Sequence, residues 1–367
     1  MKRKAAAMIL VLAVLLSGCT GWLDGSYVSV KPHLEQTGWQ EQEIVAVSNY
    51  QQICSALAEM IDSGAESGIL SVEGMDGVKV RSNMDLAIAY TVKNHPICAY
   101  AVEEIAYELG TSGGVSAVAV EIAYSHGRSE IQRIKQVRGM DEAQELIGMI
   151  LRQCDSSLVM QVEGFEEIDF SQLVRDYAEA NPAYVMEVPQ VTANVYPESG
   201  TVRVVELLLA YQTSAESLRS MQSYVQPVFS SASLYVSGEG EQRVKFSQLY
   251  SFLMERNSYK VETSITPAYS LLRHGVGDSR AFAVVYAAMC RRAGLDCQTV
   301  SGTRRGEPWF WNIICQDGVY YHVDLLQSHS AGTYRTMADE EMSGYVWDYS
   351  AYPACGVIPE ETVSAGE

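Results

Sequence analysis

The first two thirds of the chain alternate between helical and strand patterns of hydrophobic residues. In two consecutive stretches a helix is followed by a short strand, at residues 69–73 and again at 158–163. A second helix then runs towards Pro96 or Pro182, where proline ends the helical pattern. Two strands around a glycine-containing turn, near 110–114 and 198–200, and a polar helix complete each stretch. The pattern predicts two small α+β modules.

The two stretches also share landmarks at nearly constant separation. Residues 72–75 (VEGM) recur as 162–165 (VEGF), and the helix stop at Pro96 recurs at Pro182. The strand that ends at Tyr124 recurs at Tyr211, so all three pairs lie about 86–90 residues apart. We therefore predict that residues 48–139 and 140–227 are duplicated modules of the same fold. Neither module contains a cluster of titratable residues that would indicate chemistry.

The pattern changes in residues 228–358. A helix is predicted over 243–256, with its apolar residues on one face. Asp278 is a suitable N-cap for a second helix, and Gly294 is a natural terminator of it. Two strands follow, and the Asp317-Gly318 dipeptide between aromatic-rich runs predicts a hairpin turn. The apolar faces of the two helices consist of Phe246, Leu249, Tyr250 and Leu253, and of Phe282, Val285, Tyr286 and Met289. The predicted fold class of the whole chain is α+β.

The N-terminus has the pattern of a secretory leader. Lys2, Arg3 and Lys4 precede an apolar run over residues 5–16, shorter than the roughly 20 residues that cross a bilayer as a helix. The run ends in the sequence LSGC, which resembles the lipobox of bacterial lipoproteins and implies that Cys19 is acylated. We expect a signal peptide at 1–18, a tether at 19–47, and a lipid anchor on the extracytoplasmic face of the cell membrane. The alternative is an ordinary signal peptide with a chance cysteine.

Composition and charge narrow the class of partner. The 367 residues are 47% hydrophobic, which excludes a disordered chain. A formal charge of −19 argues against nucleic acid as a partner, and removal of the basic leader would make the chain more negative still. Residues 359–367 form an acidic tail. The expected membrane contact is the lipid on Cys19, with a protein or peptide at the cell surface as the candidate partner.

Cysteine spacing gives no sign of a metal centre. Seven cysteines follow Cys19, an odd number that cannot all pair within one chain. There is no CxxC and no Cys/His cluster at the spacing of metal ligands, so we predict neither structural zinc nor another metal or cofactor. Cys54, Cys154 and Cys290 lie among apolar residues and are expected to be buried.

The C-terminal third resembles the transglutaminase-like fold, which is related to papain-type cysteine proteases. The family has Cys-x-x-[Phe/Tyr]-Ala at the start of a helix, then a Val-Ser-Gly strand, His-Ala-Trp-Asn on the next strand, and Asp after a Tyr-His-Val segment. The supporting residues are matched here by Phe282-Ala283, Ala293-Gly294, Val300-Ser301-Gly302, Trp311-Asn312 and Tyr321-His322-Val323-Asp324. The resemblance covers about a third of the chain.

Two of the three catalytic positions depart from that pattern. Ser279 stands where the resemblance implies the nucleophilic cysteine, and Trp309 stands where it implies the catalytic histidine. Only Asp324 agrees. A serine hydroxyl needs a general base within hydrogen-bond reach, and an indole N–H donates but cannot accept a proton. We expect that Ser279 caps its own helix and that Asp324 holds a backbone or side-chain donor.

We also predict binding, core or structural roles for other residues near this site. Trp309 and Phe310, with the basic pair Arg304 and Arg305, are candidate binding residues, and a solvated loop is the alternative for the arginines. Trp311 and Cys290 are expected in the core, and His322 is expected to be structural. His274 and His329 are assigned to loops.

We therefore favour a surface-anchored lipoprotein whose last domain has lost catalysis and serves in binding or scaffolding. One alternative is an active envelope hydrolase or acyltransferase of the peptidase or transamidase type, which uses Ser279 with an unrecognised base. Another places the function in the duplicated modules and leaves the last domain structural.

Overall fold

The computed structural model describes residues 44–357, apart from 73, 113, 237–239 and 262–263. The predicted leader, Cys19, most of the tether and the acidic tail lie outside the described residues. The described chain divides into two compact units with the main boundary at Ile134/Lys135, and residues 196–200 are grouped with the first unit. No helix in the described ranges is both long and apolar enough to cross a membrane.

The first unit is built around a four-stranded sheet. Its elements are β1 (Ile44–Ala46), α1 (Tyr50–Ser63), β2 (Ser67–Ser71), α2 (Gly77–Asn94), α3 (Pro96–Ala101), β3 (Val102–Ser112), β4 (Val115–Tyr124) and α4 (Arg128–Ile131). The strand order is β1-β2-β4-β3, with β1 and β2 parallel and the other neighbours antiparallel. Asn49 caps α1, and Pro96 opens α3 where its lack of an N–H costs no helical hydrogen bond. Sequence and structure agree on the proline stop.

The second unit begins with a sheet of the same strand order. Its elements are β5 (Lys135–Arg138), α5 (Gly139–Gln153), β6 (Ser157–Glu163), α6 (Phe170–Ala180), β7 (Gln190–Tyr196) and β8 (Val202–Ala210). The order is β5-β6-β8-β7, with β5 and β6 parallel and β6 and β8 antiparallel. The shared order agrees with a duplication, which stays a prediction.

The predicted boundaries need three corrections. β1 lies within the predicted tether, and β5 joins the second sheet although it precedes residue 140. Both strands are short and mostly exposed, so they lack the hydrophobic alternation that would identify them. The 21-residue helix α7 (Ala215–Tyr235) runs through the predicted boundary at 227/228. Pro227 lies inside this helix, and proline is usually a sign of a helix end.

The remaining elements form a helical layer and a third sheet. They are α8 (Gln242–Met254), β9 (Ser258–Tyr259), α9 (Pro267–His274), β10 (Val276–Gly277), α10 (Ser279–Arg292), β11 (Cys297–Arg304), β12 (Glu307–Gln316), β13 (Val319–Val323), α11 (Leu325–Ser330) and β14 (Tyr345–Trp347). The sheet has the antiparallel order β13-β12-β11-β14, and β9 pairs with β10. The predicted helix 243–256 is α8, and the Asp317-Gly318 turn joins β12 to β13 as expected. His274 and His329 lie in α9 and α11 rather than in loops.

The helix α10 lies at the centre of the core of the second unit. Ten of its residues are buried, from Ser279 to Cys290. Its apolar side chains pack with those of α7 and α8 and with residues from the preceding module, such as Met186. A second cluster, which includes Trp311 and Trp347, involves the strands of the third sheet. The domain predicted at 228–358 therefore shares its core with the residues before it.

Candidate functional site

Ser279 is the first residue of α10, and its neighbour Asp278 is the cap. The Asp278 side chain accepts the N–H of Ala281 at 2.8 Å, which is the usual N-cap bond. Ser279 is 7% exposed, and its Oγ accepts the backbone N–H of Phe310 on β12 at 3.3 Å. The expectation that Ser279 caps its own helix is therefore wrong. Its hydroxyl joins the helix to the sheet.

Asp324 ends β13 and caps α11. Its Oδ1 accepts the N–H groups of Leu326 and Gln327, both at 3.0 Å. Its Oδ2 accepts Nε1–H of Trp309 at 2.8 Å and the hydroxyl of Tyr345 at 2.6 Å. The residue is 1% exposed, so four donors replace the water that a carboxylate loses on burial. The predicted role as a holder of donors is confirmed.

Arg304 completes the surroundings of Asp324. Its guanidinium lies 5.2 Å from the centre of the Trp309 ring and 5.4 Å from that of the Tyr345 ring. One of its nitrogens is 3.8 Å from Oδ2 of Asp324. Two aromatic faces and one carboxylate thus surround the cation, which is a favourable setting for arginine. Arg304 is partly buried against these rings and is not a solvated loop residue.

Tyr345 enters this site from β14, and its importance was not predicted. Burial raises the pKa of its phenol, and the Asp324 carboxylate raises it further. The hydroxyl therefore stays protonated at neutral pH and donates to Asp324, while Gln327 lies 3.0 Å away. The sequence offers no local signal for this contact, because 21 residues separate the two partners.

Phe310 and Arg305 have different surroundings from those of Arg304. The Phe310 ring has the guanidinium of Arg280 at 5.6 Å, and Arg280 also pairs with Glu179. Arg305 lies in the turn after β11 with a φ of 53°, and its backbone N–H donates to Gly344 at 2.7 Å. The structure thus brings Arg304 and Trp309 together, whereas the Arg305 backbone joins its turn to the segment before β14.

Tyr259 on β9 is a further residue that the sequence did not reveal. Hydrogen bonds from Ser258 and Lys260 to Gly275 and Gly277 fix β9 beside the segment that leads into α10. The Tyr259 ring then lies 5.5 Å from that of Trp309. The aromatic group around Arg304, defined as Tyr259, Trp309 and Tyr345, therefore comes from three different elements.

His322 is buried in a hydrogen-bonded chain of its own. Nε1–H of Trp311 donates to Nδ1 of His322 at 2.9 Å, so the ring proton must be on Nε2. Nε2 then donates to Asp339 at 2.8 Å, and Asp339 also accepts the N–H of Cys355. Burial lowers the pKa of His322, although Asp339 opposes that shift. The structural role predicted for His322 is confirmed.

These residues also form a group with metal-ligand chemistry. Ligand atoms of His322, Asp339 and Cys355 all lie within 4.8 Å of one another. However, a metal on Nε2 would require its proton to move to Nδ1, where it would oppose the Trp311 N–H. Burial also raises the pKa of the Cys355 thiol to about 12, whereas the thiolate is the metal-binding form. The geometry fits a hydrogen-bonded chain better than a metal site.

The other described imidazoles have contacts away from Ser279. His95 pairs with Asp62, His126 stacks on Tyr100, and His274 packs edge-on against Tyr269. Within the described ranges, no histidine hydrogen bonds to Ser279 or Asp324. Among the described residues, the site therefore offers a hydroxyl, a carboxylate that accepts four hydrogen bonds and donor groups, but no imidazole hydrogen-bonded to the hydroxyl.

The free cysteines agree in part with the sequence. All seven cysteines after Cys19 are unpaired thiols. Cys154 and Cys290 are buried as expected, whereas Cys54, within α1, is partly exposed. Trp311 is fully enclosed in the core, as predicted.

The last part of the second unit thus has a helix that begins at Ser279 and an antiparallel sheet whose strand β13 is followed directly by Asp324. Residues 231–349 match the family model described as the transglutaminase-like superfamily. This part of the chain is a transglutaminase-like domain, and the resemblance found in the sequence is confirmed.

Three solved structures are similar to parts of the chain at low sequence identity. A structure named as a TGase is similar over 52% of this chain and 58% of its own length, with 9% identity and a TM-score of 0.26. A proposed cysteine protease from Cytophaga hutchinsonii is similar over 43% and 70%, with 11% identity and a TM-score of 0.25. A proposed protease from Parabacteroides distasonis is similar over 70% and 39%, with 8% identity and a TM-score of 0.23. No protein with a curated description matches the chain.

Proposed function

We propose that the transglutaminase-like domain has lost acyl-transfer catalysis and serves as a binding or scaffolding domain of a lipid-anchored bacterial lipoprotein. One observation carries this proposal: the Trp309 indole donates to Asp324 at the position where the family places its catalytic histidine. An indole nitrogen has no lone pair for a proton, so it cannot act as general base.

The contacts of Ser279 support the same proposal. Hydroxyl nucleophiles in enzymes are activated by a base that accepts their proton. The Ser279 Oγ instead accepts the Phe310 N–H, and its described surroundings contain no hydrogen-bonded imidazole. The charge of the Asp324 carboxylate is satisfied by four donors, so it is not available as a substitute base.

The residues that remain exposed suit recognition. Tyr259 is 42% exposed and lies against Trp309, while Phe310 is partly exposed and Arg305 is exposed. Tyrosine, tryptophan and arginine contribute much of the binding energy in protein interfaces. A protein or peptide at the cell surface is the partner class that we propose for this face of the domain.

Labelling of the purified protein with a fluorophosphonate tests the loss of catalysis. We expect no labelling above that of Ser279→Ala, because an unactivated serine hydroxyl reacts slowly. Stoichiometric labelling that disappears in Ser279→Ala would establish the serine-hydrolase alternative instead. A peptidase and amidase assay on the same two proteins should show equal background rates.

The anchor is tested separately by Cys19→Ala. The variant should move from the membrane fraction to the medium or periplasm, because it lacks the acylated residue. Ser17→Ala, which keeps the cysteine and changes a neighbouring residue of the motif, is the matched control and should stay with the membrane. A Cys19→Ala protein that remains membrane-bound would contradict the lipid anchor.

A further inference from the structure

A cavity of about 380 Å³ lies among α7, α8 and α9, away from the contacts of Ser279. Its volume is within the range of small-molecule sites, roughly 300–1,000 Å³. The three helices meet here because the left-handed Gly275 ends α9 close to the end of α8. A Cβ on Gly275 would lie 3.2 Å from the carbonyl oxygen of Arg256, so a glycine permits this approach.

The lining of this cavity is cationic in a strongly acidic protein. Arg256, Arg273 and His274 line it, and no Asp or Glu does. The chain as a whole has a net charge of −19, with 45 acidic and 26 basic residues. The two guanidiniums without a lining carboxylate therefore contrast with the acidic composition of the chain as a whole.

Aromatic rings, rather than carboxylates, hold the two arginines. The guanidinium of Arg273 lies 4.9 Å from the centre of the Tyr224 ring, and that of Arg256 lies 4.9 Å from the Phe252 ring. A guanidinium stacked on a ring keeps the N–H donors along its edge available for an anion. Hydrogen bonding to the Tyr224 hydroxyl also raises the pKa of Arg273.

Other arginines of the second unit lie next to carboxylates. Arg203 pairs with Glu167, Arg280 pairs with Glu179, and Arg304 faces Asp324. Within the described ranges, no carboxylate lies within ion-pair distance of Arg256 or Arg273. Neither guanidinium is therefore neutralised by a described carboxylate, and both keep their charge for an anion from solution.

Helix dipoles account for only part of this charge. The cavity lies at the C-terminal ends of α8 and α9, where each helix has a partial charge of about −0.5. The charge of two guanidiniums exceeds the sum of these partial charges in magnitude.

We propose that this cavity binds a small organic anion that has a carboxylate or phosphate monoester on an apolar or aromatic body. An arginine guanidinium matches the oxygens of such a group, and bidentate contacts of this kind are strong. Phe252, Leu253 and Leu272 supply an apolar wall for the rest of the ligand. The proposal is independent of the catalytic state of the transglutaminase-like domain.

Titration of the intact protein with phenyl phosphate, followed by calorimetry, tests the proposal. Saturable binding with one site is expected, and Arg256→Gln and Arg273→Gln should each weaken it about tenfold because each removes a charged hydrogen-bond donor. Arg175→Gln is the matched control, since Arg175 is an exposed arginine of α6 that bonds to Gln172 and does not line the cavity. This control should bind with unchanged affinity.

Further probes test the anionic group and the charge of the ligand separately. Benzoate in place of phenyl phosphate separates a preference for carboxylate from one for phosphate, and either result supports an anion site. Benzyl alcohol should not bind, because it lacks the charge. The proposal is overturned by absence of saturable binding of both anions in the millimolar range, by an affinity in both cavity variants that equals that of the unchanged protein, or by equally tight binding of inorganic phosphate. The two variants are made separately, so that one folded variant suffices.

Discussion

At the residue scale, Asp324 holds together the elements that meet at the candidate site. Its carboxylate accepts two N–H groups from the helix that it caps, one indole N–H and one phenol O–H. These donors come from β12, β14 and α11, so one buried charge joins three elements. A buried carboxylate without such donors would be strongly unfavourable. The contacts of Asp324 therefore give this residue a structural role.

Trp309→Phe should destabilise the protein by about 1.5–3 kcal/mol, because it keeps a ring but removes the hydrogen bond to a carboxylate. The free energy of unfolding from urea titrations measures this loss. The same substitution in an Asp324→Ala background should cost clearly less, since the bond is then already absent. Equal costs in the two backgrounds would show that the bond contributes nothing.

His322 should make stability depend on pH. Burial lowers its pKa below the ordinary value of 6.5, so below that pH the unfolded chain binds the proton more readily than the folded one. Stability is therefore complete above pH 6.5 and declines as the pH falls towards the lower pKa of the folded state. Urea titrations between pH 7.5 and 5.5 measure the decline.

His322→Gln serves as the comparison for that decline. It removes the titrating group but leaves other histidines, such as His95 and His126, in place. The variant should be less stable at pH 7.5, because it loses contacts with Trp311 and Asp339. It should also lose less stability on acidification. An unchanged slope would assign the pH dependence to other groups.

Residue types at this site were predictable, whereas their partners were not. The sequence alone indicated that Asp324 holds donors, that Trp311 is buried and that His322 is structural. Asp278 was predicted as the N-cap of α10, and Ser279 was also expected to cap that helix; both residue types are good caps, and the backbone places Asp278 alone at the N-cap position. Tyr259, Tyr345 and Asp339 reach the site through tertiary packing, for which the local pattern contains no information.

At the scale of elements, Gly302 allows β11 and β14 to lie side by side. A Cβ at this position would lie 2.3 Å from the backbone oxygen of Val346 and 2.8 Å from the Trp311 ring. A backbone atom cannot move away as a flexible side chain can. The strand that bears Tyr345 approaches so closely that only a glycine fits at the last position of the Val-Ser-Gly motif.

Gly302→Ala should therefore displace β14 and destabilise the protein by about 1–3 kcal/mol, the usual cost of overpacking. Near-ultraviolet circular dichroism should change as well, because Trp347 and Tyr345 pack against Trp311. Ser301→Ala on the same strand is exposed and serves as the control, with little effect expected on either measurement. A Gly302→Ala protein as stable as this control would mean that β14 adjusts freely.

Long elements followed from the sequence more readily than short ones. The helix α10, its stop at Gly294 and the hairpin of β12 and β13 follow from caps, periodicity and a turn dipeptide. β9, β10 and β14 have two or three residues each, too few for alternation to be recognised. Their positions depend on neighbouring backbone, and they provide Tyr259 and Tyr345 to the site.

At the scale of the whole molecule, the division of the sequence into modules does not coincide with the division of the core. Cys154, Ala183 and Met186 lie in the predicted second module, yet they pack in one cluster with residues of α8 and α10. Helix α7 contributes Leu218 and Phe229 to that cluster from both sides of the predicted boundary. The boundary at 227/228 thus cuts a helix and a hydrophobic core.

Two fragments should consequently behave differently. Residues 135–357 contain the whole core of the second unit and are expected to fold on their own, with a cooperative urea transition and dispersed amide resonances. Residues 228–357 keep the transglutaminase-like motifs but lose Leu218, Val225 and Met186 from the cluster. Each lost buried aliphatic side chain corresponds to about 2–5 kcal/mol, comparable in sum to the total stability of a domain, about 5–15 kcal/mol. The shorter fragment should therefore be unfolded or aggregated, and a cooperative transition from it would show that residues 228–357 are an independent domain after all.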